Sequence, residues 1–237
     1  MAAALARVLE PETLDHLAAD DPRAVRSRRD LARINRIMGA PRLLRRAIER
    51  ACPDWGRRPL RVVELGCGDG ALLLEVARRS PKGAAPVELA LLDRQPIVAT
   101  ETIAAYAAAG WQARSLQADV LDWARAGSDA VDLVVANLFL HHLDATGLRT
   151  LFDAVARRGA ALVAVEPRRS RVALVFAHLV VFVGANDVTR RDAVLSVRAG
   201  FRDRELTALW PHGGGRDGLD ERDEGPFSHV LTARAAA

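Results

Sequence analysis

The residues with the clearest chemical meaning lie in one short segment, VVELGCGDG, residues 62–70. An apolar, β-branched run ends near the acid Glu64, and glycines follow at alternate positions, Gly66, Gly68 and Gly70. A glycine turn after a strand lets a ligand approach the backbone closely, beside the N-terminus of the next helix. The spacing also satisfies the loose G-x-G-x-x-G/A pattern of dinucleotide sites, which alone leaves the ligand undecided.

Carboxylates near this turn narrow the choice of ligand. Glu64 stands before the first glycine and Asp69 lies inside the turn. Both would oppose a pyrophosphate, whereas an ammonium group would be attracted to them. Asp93 ends the second apolar run, where an acid can accept hydrogen bonds from two ribose hydroxyls, and Asp119, followed by Val120, ends the third, where an adenine amino group can donate. Together these acids favour an adenosyl amino acid over a dinucleotide.

The elements that position these residues follow from a regular alternation. Short apolar runs at 60–65, 87–93, 111–119, 130–137 and 159–167 are separated by stretches with helical periodicity, which predicts a parallel sheet covered on both faces. Two more strand-like segments, DRELTALWP (203–211) and PFSHVLTAR (226–234), are joined by a turn-rich loop with no room for a crossover helix. We expect them to form an antiparallel hairpin at the end of the sheet.

Taken in order, these motifs resemble the class I S-adenosylmethionine-dependent methyltransferases of the small-molecule type, over about residues 60–235. VVELGCGDG resembles their glycine-rich first motif, LALLDRQP the acidic end of strand two, LQADVLDW the adenine-side motif, and VDLVVANLFLHHL the segment after strand four. The resemblance implies S-adenosylmethionine as the cofactor. It also implies an α/β fold with a Rossmann-like, seven-stranded, mostly parallel sheet, an antiparallel last strand, helices on both faces and an N-terminal helical cap. The cofactor-binding residues expected from the motifs are Glu64, Gly66, Cys67, Gly68, Asp93, Arg94, Asp119, Val120, Asn137 and Leu138.

His141 and His142, directly after the fourth predicted strand, are the candidate catalytic residues. Histidine can act as a base near neutral pH, and methylation of a phenol, enol or acid benefits from removal of a proton. One of the two is expected to be structural. No metal ligand set is expected, because the sequence has no metal-type spacing of cysteines and histidines. Holding donor and acceptor close and aligned can supply much of the rate, which explains why no obvious catalytic constellation appears.

The rest of the chain is assigned by periodicity and polarity. Residues 1–57 are predicted to form the helical cap, part of one globular unit with the cofactor-binding domain, 58–237. The apolar run VALVFAHLVVFVG, 172–184, is too short to span a bilayer, which needs about 20 residues, and predicts a buried helix or one lining an apolar pocket. The segment after it is predicted as a loop and a helix capped by Asp187 or Thr189; a substrate role is the alternative for Asn186, Asp187, Arg190 and Asp192.

Composition sets the expected partners. The 237-residue chain is 50% hydrophobic with a net charge of +4, and its two cysteines fit no disulfide framework or metal spacing, which favours a soluble protein in the cytoplasm. Its basic residues are scattered, so neither nucleic-acid binding nor stable membrane insertion is expected. One modest basic cluster is best interpreted as a solvated helix face; it consists of Arg23, Arg26, Arg28 and Arg29. A monomer and a homodimer both stay open.

The leading hypothesis is therefore methyl transfer to a small, lipophilic acceptor such as a polyketide- or quinone-like phenol. One alternative is a methyltransferase acting on RNA or protein, for which the basic cluster gives slight support. Another is a nicotinamide-dependent oxidoreductase that uses the same glycine turn.

Overall fold

The structure is a computed structural model that describes residues 5–81, 83–127, 130–211 and 218–235. Its strands form one seven-stranded sheet with the order β3-β2-β1-β4-β5-β7-β6. Strands β1 to β5 run parallel, whereas β7 is antiparallel to both of its neighbours, β5 and β6. The predicted fold class, including the antiparallel last strand, is confirmed. The strands are β1 (Leu60–Leu65), β2 (Val87–Asp93), β3 (Trp111–Gln117), β4 (Leu133–Asn137), β5 (Ala161–Pro167), β6 (Leu219–Glu224) and β7 (Ser228–Ala233).

Helices cover both faces of this sheet, and each face has its own hydrophobic core. Along β4, Leu133 and Val135 belong to one core, whereas Val134 and Ala136 belong to the other. Because successive side chains of a strand point to opposite faces, a strand buried on both sides reads as a continuous apolar run. The helices are α1 (Pro22–Ile37), α2 (Ala40–Ala51), α3 (Ala71–Ala77), α4 (Thr100–Ala108), α5 (Val120–Ala126), α6 (Ala145–Arg157), α7 (Arg171–Leu179) and α8 (Asp187–Ala199).

The terminal hairpin forms, but one of its strands is not where the sequence suggested. The prediction of a strand at 203–211 is wrong, because this segment forms turns and a 3-10 helix, Thr207–Leu209. Leu206 and Trp210, four residues apart, point into the core, which is a helical spacing. The actual strand, β6, lies inside the predicted joining loop; residues 212–217 of that loop lie outside the described residues. Charged residues fill β6 because it is the edge strand of the sheet.

The apolar run 172–184 is not buried, contrary to the sequence-based expectation. It forms α7 and a 3-10 turn, Val180–Val183, and within α7 only the small Ala173 and Ala177 are buried. The large side chains face outward, and Phe182 is 83% exposed. Hydropathy records how apolar a segment is, not which way its side chains point. We call the exposed set the apolar ridge: Val172, Val175, Phe176, Leu179, Val181 and Phe182. Within the described residues, no helix is long and apolar enough to cross a membrane.

The N-terminal region is helical only in part. Helices α1 and α2 are separated by Gly39 in a left-handed conformation, and the described residues before α1, 5–21, are irregular apart from a 3-10 turn, Leu14–His16. Arg7 fastens this region: its Nε donates to the Ala199 carbonyl at 2.7 Å, and its Nη2 donates to the Leu143 carbonyl at 2.9 Å.

Helix α8 is capped differently from the prediction. Its N-cap is Asn186, rather than Asp187 or Thr189, and the Asn186 Oδ1 accepts a hydrogen bond from the Thr189 N–H at 2.8 Å. The same asparagine joins α8 to α1, because its backbone N–H donates to Asp30 Oδ2 at 2.8 Å. Ser27 and Asp30 are buried by this contact.

Candidate active site

A cavity of about 990 Å³ opens at the carboxyl ends of β1, β2 and β4. This is the edge where open α/β sheets bind their ligands. The structure brings every predicted site residue into the wall of this one cavity. They are Glu64, Gly66, Cys67, Gly68, Asp93, Arg94, Asp119, Val120, Asn137, Leu138, His141 and His142.

The opposite wall consists of residues that the sequence did not assign to the site, among them Arg28 of the basic cluster, which was expected on a solvated helix face. It comes from the N-terminal strap, defined as residues 9–16, and from α1 and α8. The polar residues of the substrate alternative do not reach it: of Asn186, Asp187, Arg190 and Asp192, none lines the described cavity. Asp192 instead holds the strap, since its two carboxylate oxygens accept from the backbone N–H groups of Thr13 and Leu14, each at 2.9 Å.

The glycine turn is shaped by two different requirements. Both Gly66 and Gly68 have positive φ angles, +61° and +56°, which side-chain-bearing residues rarely adopt. A Cβ on Gly66 would lie 2.1 Å from the ring of Phe139, so packing excludes a side chain there. A Cβ on Gly68 would meet nothing within 4 Å, which leaves backbone exposed to a ligand in the cavity.

Glu64 is the most perturbed acid of the site. It is buried at the end of β1, and burial, reinforced by the charges of Asp69 and Asp93, raises its pKa to about 8. Its Oε2 has no hydrogen-bond partner among the described residues, and neither does the buried Oδ1 of Asn137. Buried acceptors normally have a donor, so this pair fits a ligand that brings N–H groups and positive charge. The ammonium group of an adenosyl amino acid meets both needs.

Asp93 and Asp119 are held at the ends of their strands by backbone donors. Asp93 accepts from the N–H groups of Gly68 and Gln95, each at 2.9 Å, and its oxygens retain lone pairs for ribose hydroxyls. Asp119 caps α5 by accepting from the Leu121 N–H at 2.7 Å. The capping and ligand-binding interpretations of Asp119 are therefore compatible, because the residue also lines the cavity.

Glu166, which sequence reasoning missed, organises the segment after β4. Its carboxylate is buried in β5 and accepts from the backbone N–H groups of Phe139, Leu140 and His141. Just before them, Leu138 has a φ of +51°, an unusual conformation for a non-glycine residue. The available signal was an acid inside an otherwise apolar strand.

His141 is enclosed between two carboxylates. Its Nδ1 lies 2.8 Å from Glu166 Oε2, and its Nε2 lies 3.3 Å from Glu12 Oε1 on the strap. Burial alone would lower the pKa of His141, but its hydrogen bonds to Glu12 and Glu166, and their charges, outweigh burial and raise the pKa to about 9. At neutral pH the ring is therefore an imidazolium, which cannot accept a further proton while the strap is in place.

His142 has a different environment. Its side chain is 25% exposed, and its Nδ1 lies 3.2 Å from Asp15 Oδ2, also on the strap. Burial would raise the pKa of Asp15, but the hydrogen bond and charge of His142 prevail and lower it. Glu12, His141 and His142 also offer ligand atoms within 4.8 Å of one another, a spacing compatible with a cation. Because His141 is protonated at neutral pH, its imidazolium already supplies a positive charge among these three side chains.

Cys67, also in the glycine turn, is not a nucleophile. Burial, with the nearby charge of Glu64, raises the pKa of its thiol. A thiol held in the protonated form is unreactive. Its role in the cavity wall is that of a small packed side chain.

Comparisons with known proteins agree with this geometry. Residues 62–159 match the family model for a methyltransferase domain. Among solved structures, an O-methyltransferase family protein from Burkholderia thailandensis superposes with a TM-score of 0.57 at 20% identity, covering 92% of this chain and 62% of that one. The plantazolicin methyltransferase BpumL, solved with S-adenosylhomocysteine, gives 0.61 at 10% identity, covering 92% of each chain. The pyocyanin biosynthetic protein PhzM gives 0.55 at 18% identity, covering 94% and 60%.

The chain thus spans less than two thirds of the length of the Burkholderia protein and of PhzM. Among curated proteins, no sequence match is found. The matched segment nevertheless contains the glycine turn, the acidic strand ends and the segment after β4. The fold is therefore the one that the resemblance to class I S-adenosylmethionine-dependent methyltransferases implied, and residues 62–159, less than half of the chain, match a methyltransferase domain.

Proposed function

We propose that this enzyme transfers the methyl group of S-adenosylmethionine to a small, lipophilic acceptor such as a polyketide- or quinone-like phenol. The observation that carries the proposal is the wall opposite the glycine turn. There the strap and α1 place Leu9, Leu14, Leu31 and Ala32 in the same cavity as His142. The same two elements also line the cavity with charged side chains, including Glu12, Asp15 and Arg28, so the leucines form an apolar patch within a mixed wall. Small-molecule sites typically combine apolar side chains with placed polar groups. Support for a lipophilic acceptor comes from this wall. The apolar run 172–184 gives no such support, because none of its described side chains lines the cavity.

The cofactor-binding residues are assigned roles that follow from their chemistry. Glu64 and Asn137 offer unsatisfied acceptors to the ammonium group, and Asp93 offers its carboxylate to the ribose hydroxyls. Asp119 and Val120 would hold the adenine. The remaining residues of the expected set complete the cavity wall: Gly66, Cys67, Gly68, Arg94 and Leu138.

His142 is proposed as the base that removes the acceptor's proton, and Asp15 as the residue that orients it. When bound, S-adenosylmethionine supplies a methyl group already activated by its sulfonium. The chain has to bring the acceptor hydroxyl into line and take up its proton. With Nδ1 paired to Asp15, the Nε2 of His142 is the nitrogen that remains to accept this proton. His141, charged and enclosed, is proposed to position the strap instead.

A macromolecular acceptor is less well supported. The strap and α1 form one wall of the cavity, so an RNA or protein side chain would have to enter beside them or displace them. Asp192 and His141, through their bonds to the strap, oppose such displacement.

A transfer assay tests the proposal directly. Purified enzyme is incubated with methyl-labelled S-adenosylmethionine and, in parallel, with alkylated phenols, hydroquinones, total RNA and bulk protein. We expect label in the phenols or hydroquinones. Label that enters only RNA or protein would refute the small-molecule proposal while leaving the enzyme class unchanged.

The cofactor assignment has its own control. Asp93→Ala should weaken S-adenosylhomocysteine binding severely, because it removes the ribose acceptor and the partner of the Gly68 N–H. Affinity close to that of the wild type in this variant would contradict the role given to Asp93.

A further inference from the structure

The apolar ridge has its large side chains on the outward face of α7, whereas a helix that packs into a protein core has them on the inward face. In α7 the small residues Ala173 and Ala177 face inward, whereas the large residues Val175 and Phe176 are about half exposed. In the turn that follows, Phe182 is 83% exposed. Large apolar side chains clustered on the surface mark an interaction site, because leaving them in water is unfavourable.

The ridge lies at the same edge of the sheet as the cavity, yet outside it. Helix α7 follows the end of β5, and the ring of Phe176 packs edge-on against Phe227 at a centroid distance of 4.6 Å. Phe227 precedes β7, whose first residue pairs with Pro167 at the carboxyl end of β5. The methyl-transfer site therefore leaves the ridge unexplained.

We propose that the apolar ridge binds the interfacial region of an anionic lipid bilayer. Its size favours a bilayer over a second copy of the chain. A stable protein interface takes about 20–30 residues and about 800 Å² from each partner. The ridge is a few side chains from one stretch, residues 172–182. A single amphipathic segment of this kind is enough to bind a membrane surface, where its apolar face enters the boundary between headgroups and acyl chains.

The charges around the ridge also favour an anionic surface. Residues 171–184 contain Arg171 and His178, both exposed, and no acidic residue. Next to them, α8 is joined to α1, because the Asn186 Nδ2 donates to the Arg23 carbonyl at 3.0 Å. Helix α1 carries the basic cluster noted in the sequence, and Arg26 and Arg29 in it are exposed. Basic residues beside an apolar face are attracted to acidic lipid headgroups.

Vesicle sedimentation with the full-length protein tests this inference and requires no enzymatic activity. The vesicles are phosphatidylcholine alone, or phosphatidylcholine mixed with phosphatidylglycerol. We expect sedimentation with the mixed vesicles, and weaker sedimentation with phosphatidylcholine alone. The double variant Phe176→Ser/Phe182→Ser should lower the partition coefficient by about tenfold or more, since it removes much of the apolar area. Phe182→Leu is the matched control and should bind nearly as the wild type does.

Other outcomes would overturn the proposal. One is a wild-type protein that stays in the supernatant with both kinds of vesicle. Another is a wild-type dimer in light scattering that Phe182→Ser converts to a monomer, without vesicle binding by either form. That result would assign the ridge to a second copy of the chain. Phe182 is mostly exposed, so Phe182→Ser alone should leave the thermal midpoint unchanged and still weaken vesicle binding, which separates lost binding from any loss of folding caused by removing the contact of Phe176 with Phe227.

Discussion

Glu12 and His141 are 129 positions apart in the chain, yet Glu12 Oε1 lies 3.3 Å from His141 Nε2. The other ring nitrogen lies 2.8 Å from Glu166 Oε2 at the end of β5. One imidazole thus connects the strap that closes the cavity to the sheet that forms its floor. Because both partners are carboxylates, the connection depends on the imidazole being protonated.

This dependence predicts how stability changes with pH. The pKa of His141 is raised from 6.5 to about 9, so its stabilising contribution is fully present below about pH 6.5 and is lost as the pH rises through about 9. The contribution is roughly 3 kcal/mol at most, from about 1.4 kcal/mol per pKa unit. Thermal midpoints measured across this range should fall with pH, and more steeply in the wild type than in His141→Asn. Equal slopes in the two proteins would show that His141 does not carry the charge.

Glu64 predicts a proton-linked step in cofactor binding. Its carboxyl is raised to a pKa of about 8, so much of it is protonated at neutral pH when no cation is near. A ligand ammonium group favours the carboxylate, so binding should release a proton and tighten as the pH rises from about 6 to about 7.5. S-adenosylhomocysteine, which carries the same amino acid group, is suitable for calorimetry in buffers of different ionisation enthalpy.

The matched variant is Glu64→Gln, which has similar size and no titratable proton. It should bind more weakly and with little dependence on pH. Proton release that persists unchanged in this variant would assign it to another group.

Two glycine substitutions separate ligand contact from backbone strain. Gly68 and Gly110 both have positive φ angles, and an added Cβ would meet nothing within 4 Å at either one. Each change to alanine should cost about 1–2 kcal/mol of stability through the left-handed conformation. Only Gly68→Ala should also lose S-adenosylhomocysteine affinity, because only Gly68 lines the described cavity. Comparable affinity in the two variants would argue against cofactor contact at this turn.

Much of the sheet could be predicted because its signals are local. Strands β1 and β2 are buried on both faces and read as apolar runs whose bounds, 60–65 and 87–93, match the structure. The acids at strand ends and the glycine turn then converge, since the ends of parallel strands meet at one edge. In contrast, β6 is an edge strand whose sequence, LDERDE, has the composition of a loop.

The missed residues of the site act through contacts that are distant in the sequence, although Glu166 also had a local signal, as an acid inside an apolar strand. Glu12 and Asp15 act through histidines far along the chain, and Glu166 acts through backbone groups about 25 residues away. The orientation of α7 was missed for another reason. Its apolar content suggested burial, whereas its inward face is formed by alanines.

The two histidines of the candidate site should respond differently to substitution. His142→Ala is expected to lower kcat by about 10²–10⁴-fold for a phenolic acceptor, with little change in S-adenosylhomocysteine affinity, because it removes the proposed base. Asp15→Asn should have a smaller effect of the same kind, since it leaves the imidazole but removes the charge that pairs with Nδ1. Steady-state rates across a pH series, with cofactor affinity measured separately, distinguish this from damage to binding. An unchanged kcat in His142→Ala would mean that alignment alone drives the transfer and that the acceptor loses its proton to solvent.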